Sequence, residues 1–105
     1  MSDAESRYAI DPSASDHYLL RLYISGMTPR STEAIRNLTH ICEERLVGRY
    51  DLEVIDIYQQ TGVATANQIV ATPTLVKKQP LPECRMVGDL SDRARVLSGL
   101  GLHDA

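Results

Sequence analysis

The chain has no Phe and no Trp, so its aromatic packing falls to five tyrosines. It has two cysteines and three scattered histidines, His17, His40 and His103. Cys42 and Cys84 stand 42 positions apart, without the close pairing or flanking histidines of a zinc site. No metal or cofactor is expected. No apolar run reaches the ~18 residues of a membrane span. The opening MSDAESRYAI has neither the basic start nor the apolar stretch of a signal peptide, which points to a reducing cytoplasm and free thiols. Basic excess is also missing. Residues 1–17 carry Asp3, Glu5, Asp11 and Asp16 against Arg7, and residues 18–105 balance ten acids with ten bases. A neutral domain of this kind lacks the phosphate-neutralising charge of a nucleic-acid binder.

What is present fits one domain. The chain has 105 residues, 43% of them hydrophobic and 24% charged. That composition is ordinary for a globular protein with a stability of roughly 5–15 kcal/mol. Residues 1–17 read as a flexible acidic leader, because no hydrophobic period appears in them. Residues 18–105 read as the domain.

Tyr18 to Ser25 is a strand with two largely apolar faces, hence a central one. Thr28 is placed to cap a helix and Pro29 to open it, where a missing N–H costs nothing. Ala34, Ile35, Leu38, Ile41, Cys42 and Leu46 then build one helical stripe from about Pro29 to Leu46, with Glu33 near its positive end. Gly48 stops the helix. Tyr50 to Tyr58 is a second strand, and its acidic alternation suits a solvent-exposed edge. Strand, helix, strand predicts a parallel pair.

The second half carries weaker signals. Val63 to Val70 reads as a short helix. Thr74 to Lys78 and Glu83 to Val87 read as a hairpin around Pro80-Leu81-Pro82. Ser91 is placed to cap a final helix, with Asp92 in its first turn. Leu90, Ala94, Leu97 and Leu100 follow helical spacing, but Val96, Leu100 and Leu102 also fit a strand. Gly99 and Gly101 weaken either by roughly 1 kcal/mol each.

The order βαβ, short α, hairpin, α is that of the α/β thioredoxin fold. Pro73, in Thr72-Pro73-Thr74, stands where that fold keeps a cis proline, a bond costing only about 0.5–1 kcal/mol over trans. Thioredoxin-like oxidoreductases place two cysteines where the first strand meets the first helix, so that the helix end activates the thiol. Here the positions are Thr28 and Ser31. No Walker-type glycine loop is present, and Gly88-Asp89-Leu90-Ser91-Asp92 offers too few acids for a cation loop. The chain reads as a non-enzyme.

The runs Tyr18 to Gly26, Thr28-Pro29-x-Ser31, Val54-Ile55-Asp56, Ala71-Thr72-Pro73-Thr74-Leu75 and Gly88-Asp89-Leu90-Ser91-Asp92-Arg93 together resemble the KaiB family of circadian clock proteins, across about residues 18–102. The resemblance implies a fold-switching C-terminal half. One form is a thioredoxin-like monomer that binds the N-terminal ATPase ring of a KaiC-like hexamer and alters its ATPase and phosphorylation cycle. The other is an inactive ground-state fold, tetrameric or dimeric. Two packings within a few kcal/mol of each other permit such a switch.

By the same resemblance Gly88 and Asp89 lie in the segment that tips the balance, and Gly88→Ala with Asp89→Arg favours the thioredoxin-like monomer. The expected partner-binding residues are Gln68, Asn67, Glu53 and Arg85. Glu53 stands where cyanobacterial members have a basic residue used towards KaiA, and charge reversal opposes that contact. Thr65, Ala66, Asn67 and Gln68 replace acids and a lysine. These departures fit a divergent member working with KaiC but no KaiA, in a timer or stress-response role. The alternative is a binding module for a histidine kinase or stress-response partner.

Overall fold

The computed structural model describes residues 17–102. Strand β1 (Tyr18–Ile24) leads to helix α1 (Pro29–Arg45) and strand β2 (Tyr50–Asp56). A one-turn helix α2 (Val63–Ala66) precedes the strands β3 (Thr74–Gln79) and β4 (Cys84–Val87), and helix α3 (Arg93–Gly99) follows. The sheet order is β2-β1-β3-β4, with β1·β2 parallel and the other pairs antiparallel. This is the thioredoxin-like arrangement of the α/β class.

The sheet has two unequal covers. On one face Leu20, Leu22, Ile24, Leu75 and Met86 meet Ala34, Leu38, Ile41 and Cys42 of α1 and Val96, Leu97 and Leu100 of the α3 region. On the other face Tyr23, Ile55 and Val76 meet Ile69, with Val63 and Ala64 of α2 packed beside them. Each buried Leu or Ile contributes about 1.5–3 kcal/mol, so the larger face carries most of the stability.

Local chemistry explains the boundaries. Thr28 Oγ1 accepts from Ser31 N at 3.1 Å and caps α1, with Pro29 at its first position. Leu46 is the C-cap rather than the last helical residue. Glu33 lies beyond the first turn, which holds no acid, and pairs instead with Arg36. Strand β2 ends at Asp56, not Tyr58, because Asp56 Oδ1 accepts from Tyr58 N at 2.9 Å and from Gly26 N at 3.1 Å. That carboxylate ties two loops together and turns the chain.

In the second half α2 stops at Ala66, four residues before Val70. Asn67 Nδ2 donates back to Val63 O at 2.9 Å, and Gln68 turns to φ 57. Asp92, not Ser91, caps α3, accepting from Arg95 N at 3.2 Å. Met86 explains Gly99: a Cβ there would lie 2.6 Å from the Met86 sulfur, so the missing side chain lets α3 close on β4. The phenol of Tyr18 donates to Leu100 O at 2.8 Å, joining the first strand to the end of α3.

Of the expected leader, residues 1–16 lie outside the described residues. His17 is described, with Nε2 2.8 Å from Asp51 Oδ2. Among the described residues no helix is long and apolar enough to cross a membrane.

Candidate interaction site

The β1–α1 junction is where this scaffold could carry a reactive thiol. It holds hydroxyls that are already engaged with each other. Thr28 Oγ1 donates to Ser31 Oγ at 3.1 Å, and Ser31 is buried. The Thr72–Pro73 peptide beside the junction is cis, as are Gln79–Pro80 and Leu81–Pro82. Ser25 Oγ and Thr72 Oγ1 share a 2.5 Å hydrogen bond there. Both cysteines are free. Cys42 is fully buried on α1, and burial, with Glu43 beside it, pushes its thiol up to about 12. A thiol so held stays protonated at neutral pH and is a poor nucleophile. Among the described residues no group of three or more His, Cys, Asp or Glu side chains could hold a metal.

Three of the four expected partner-binding residues converge. Arg85, on the edge strand β4, reaches across to the loop after α2. Its Nη1 donates to Gln68 O at 3.0 Å and its Nη2 to Asn67 O at 2.8 Å. The planar guanidinium fits two adjacent carbonyls as no lysine would. Glu83 lies 3.8 Å from Arg85 Nε and also 3.5 Å from Lys78 Nζ. Gln68 is exposed and held in a left-handed conformation by this contact.

Glu53 is set apart from this cluster. Parallel register places it opposite Arg21, and Glu53 Oε1 is 3.6 Å from Arg21 Nε. Arg21 Nε is buried without a hydrogen-bond partner, so this ion pair is its main compensation. Sequence reading missed Arg21 as a functional neighbour. Its signal was available: a lone cation in an otherwise apolar strand needs a partner, and the parallel neighbour supplies one.

Gly88 has φ 122 and its N–H bonds Pro73 O at 2.9 Å, so it links the cis-proline loop to the start of the α3 connection. A Cβ at Gly88 would lie 3.7 Å from Arg30, which is ordinary contact. The demand for glycine is therefore conformational, not spatial. Asp89 Oδ1 accepts from Ser91 N at 3.1 Å. Hydrogen bonds from the Ser91 hydroxyl and backbone, with Arg30 adding charge, hold the Asp89 carboxyl below its usual range. Asn37 of α1 donates to Asp89 O at 2.9 Å, an anchor that sequence alone did not disclose.

The KaiB domain model matches residues 21–102. The chain belongs to the KaiB family. It is 49% identical to the circadian clock oscillator protein KaiB of Acaryochloris marina over 85 residues, 81% of this chain and 82% of that one. The protein of the same name from Synechococcus elongatus is 48% identical over 81% of this chain and 83% of its own. Among solved structures, the N-terminal domain of Synechococcus elongatus SasA superposes with a TM-score of 0.68 at 22% identity, covering 99% of this chain and 98% of that domain. Mitochondrial thioredoxin 3 of Saccharomyces cerevisiae superposes with a TM-score of 0.65 at 14% identity, covering 83% of this chain and 80% of its own. These likenesses establish the thioredoxin-like fold. On this chain Arg85, Asn67 and Gln68 form one surface at the β4 edge of the sheet, and Glu53 lies on the opposite edge strand.

Proposed function

We propose that this KaiB-family chain is a non-enzymatic clock or timer component of the cytoplasm. It binds the N-terminal ATPase ring of a KaiC-like hexamer in its thioredoxin-like form and modulates the ATPase and phosphorylation cycle. Family membership across residues 21–102 carries the reading. The turn at half-buried Asn67 and exposed Gln68, braced by Arg85, supports it as the contact surface. A backbone already fixed before contact lowers the entropy cost of binding.

The ground state is an oligomer, tetramer or dimer, in which the second half is rearranged; the bound form is a monomer. Gly88 and Asp89 lie where the two arrangements diverge. A partner that selects one arrangement sees its affinity reduced by the fraction competent to bind. The test is to mix the chain with KaiC from the same genome and follow co-elution in size exclusion across KaiC phosphorylation states. Co-elution in at least one state is expected, and its absence in all of them refutes the reading.

A second reading is favoured by the surface itself. Glu53 and the uncharged run Thr65 to Gln68 change the charge offered to partners. A histidine kinase or stress-response protein would then be the preferred target. Capture from the native organism with wild type and Arg85→Met separates the two: KaiC recovered by wild type alone supports the first.

A further inference from the structure

A cleft of about 320 Å³ lies between α1 and the segment that leads into α3. Its floor is apolar, made by the buried Ile41 and Leu90. Basic groups rise from both walls: Arg36 and His40 one helical turn apart on α1, and Arg93 opposite. Asn37 also lines the cleft, and its amide donates to Asp89 O at 2.9 Å, which ties α1 to the segment before α3. Leu90 has φ 62, a costly conformation for a leucine, and is nonetheless buried against α1.

Arg36 and Arg93 are paired with Glu33 and Glu44, but all four side chains are substantially exposed. Such pairs hold weakly, so either guanidinium can turn to a stronger anion in the cleft. A carboxylate offers two oxygens, whereas a phosphate offers three to the three basic groups around it. The volume and floor suit a ring beneath that phosphate. We propose that this cleft binds a small organic phosphate with a flat apolar body.

The two walls come from different halves of the chain. An occupant therefore stabilises the arrangement seen here and is lost when either half rearranges. As a regulator of fold choice this rests on the two-arrangement reading above; the binding itself does not.

The test is a heteronuclear NMR titration of the full chain with phenyl phosphate, against inorganic phosphate and against sodium chloride of equal ionic strength. Saturable shifts at Asn37, His40, Leu90 and Arg93 are expected, with phenyl phosphate at least about tenfold tighter than inorganic phosphate. Arg36→Gln and Arg93→Gln each weaken binding, whereas Lys78→Gln on the opposite sheet face does not. The thermal midpoint rises with phenyl phosphate. Absence of saturation, shifts reproduced by chloride, equal weakening by Lys78→Gln, or an unmoved midpoint overturns the proposal. The chain is used alone, and its chemical shifts are read first to establish residues 93–99 as helix in the sample titrated, so the result bears on the arrangement seen here whether or not the chain binds KaiC.

Discussion

Replacing Arg85 with Met keeps most of the stem and removes the guanidinium. Two hydrogen bonds of 3.0 and 2.8 Å from a charged donor are then lost. Each is worth about 1.5–3 kcal/mol where water is excluded. The Arg85 side chain is 38% exposed, and the freed carbonyls can take water, so the net loss falls to about 1 kcal/mol. The cost is local. The loop after α2 is held otherwise by the packing of Ile69 on Tyr23, Ile55 and Val76 and by short-range backbone bonds, such as Gln68 N to Thr65 O at 3.2 Å and Ile69 N to Ala64 O at 2.8 Å. Freed from β4, it opens more often. Amide exchange at Gln68 and Ile69 is expected to speed about fivefold, the factor equivalent to about 1 kcal/mol, and the free energy of urea unfolding to fall by no more than that amount. Arg85→Lys fails to restore protection, since a single ammonium cannot span both carbonyls. Unchanged exchange at Gln68 and Ile69 in the methionine variant would refute the bracing role. A fall in unfolding stability well beyond about 1 kcal/mol would do so too, by showing a wider structural effect.

Three further outcomes follow from the geometry. Glu53→Lys sets a second cation against Arg21, whose buried Nε then has no counter-charge, and should lower stability by about 1 kcal/mol in urea unfolding; Glu53→Gln should cost less. Gly88→Ala forces alanine to φ 122 and should cost this arrangement about 1–3 kcal/mol, read as loss of thioredoxin-like NMR peaks. Asp89→Asn removes a carboxylate whose folded pKa is depressed by Ser91 and Arg30, so its stabilisation is full above the unfolded value near 3.8 and fades as pH falls through the folded one. Wild type should therefore exceed the variant in thermal midpoint at pH 7, and the two should converge in strong acid; a difference that persists there speaks for a neutral hydrogen bond.

The family resemblance implies that Gly88→Ala with Asp89→Arg favours the thioredoxin-like form. The backbone places the strain of Gly88→Ala in that very form, and Asp89→Arg discards the bonds from Ser91 and faces Arg30 with a like charge. The pair can favour this form only by costing the alternative more.

Periodicity made the first half legible. The two-faced apolar run of β1, the stripe of α1 and the Thr28-Pro29 start each answer to local rules, and parallel pairing of β1 with β2 follows from the long connection between them. Legibility fell off where segments are short. A one-turn helix has too few residues for a period, so the end of α2 at Ala66 depended on Asn67 folding back on Val63. Between Ser91 and Asp92, both good caps, the choice lay with Asp89, which takes the Ser91 N–H. The candidate site was half visible: Gln68, Asn67, Arg85 and Glu53 were named, but not that the first three meet and the fourth pairs elsewhere.

The amino-acid sequence by itself determined the fold class, a neutral domain without a reactive thiol pair, and the family, because these depend on composition, local periodicity and short motifs. Tertiary structure decided what residues 90–102 become. Helix and strand patterns coincide there, and α3 is selected by contacts from elsewhere: Met86 filling the space left at Gly99, the Tyr18 phenol on Leu100 O, and the burial of Val96, Leu97 and Leu100. A segment whose own preferences nearly cancel takes its conformation from its neighbours.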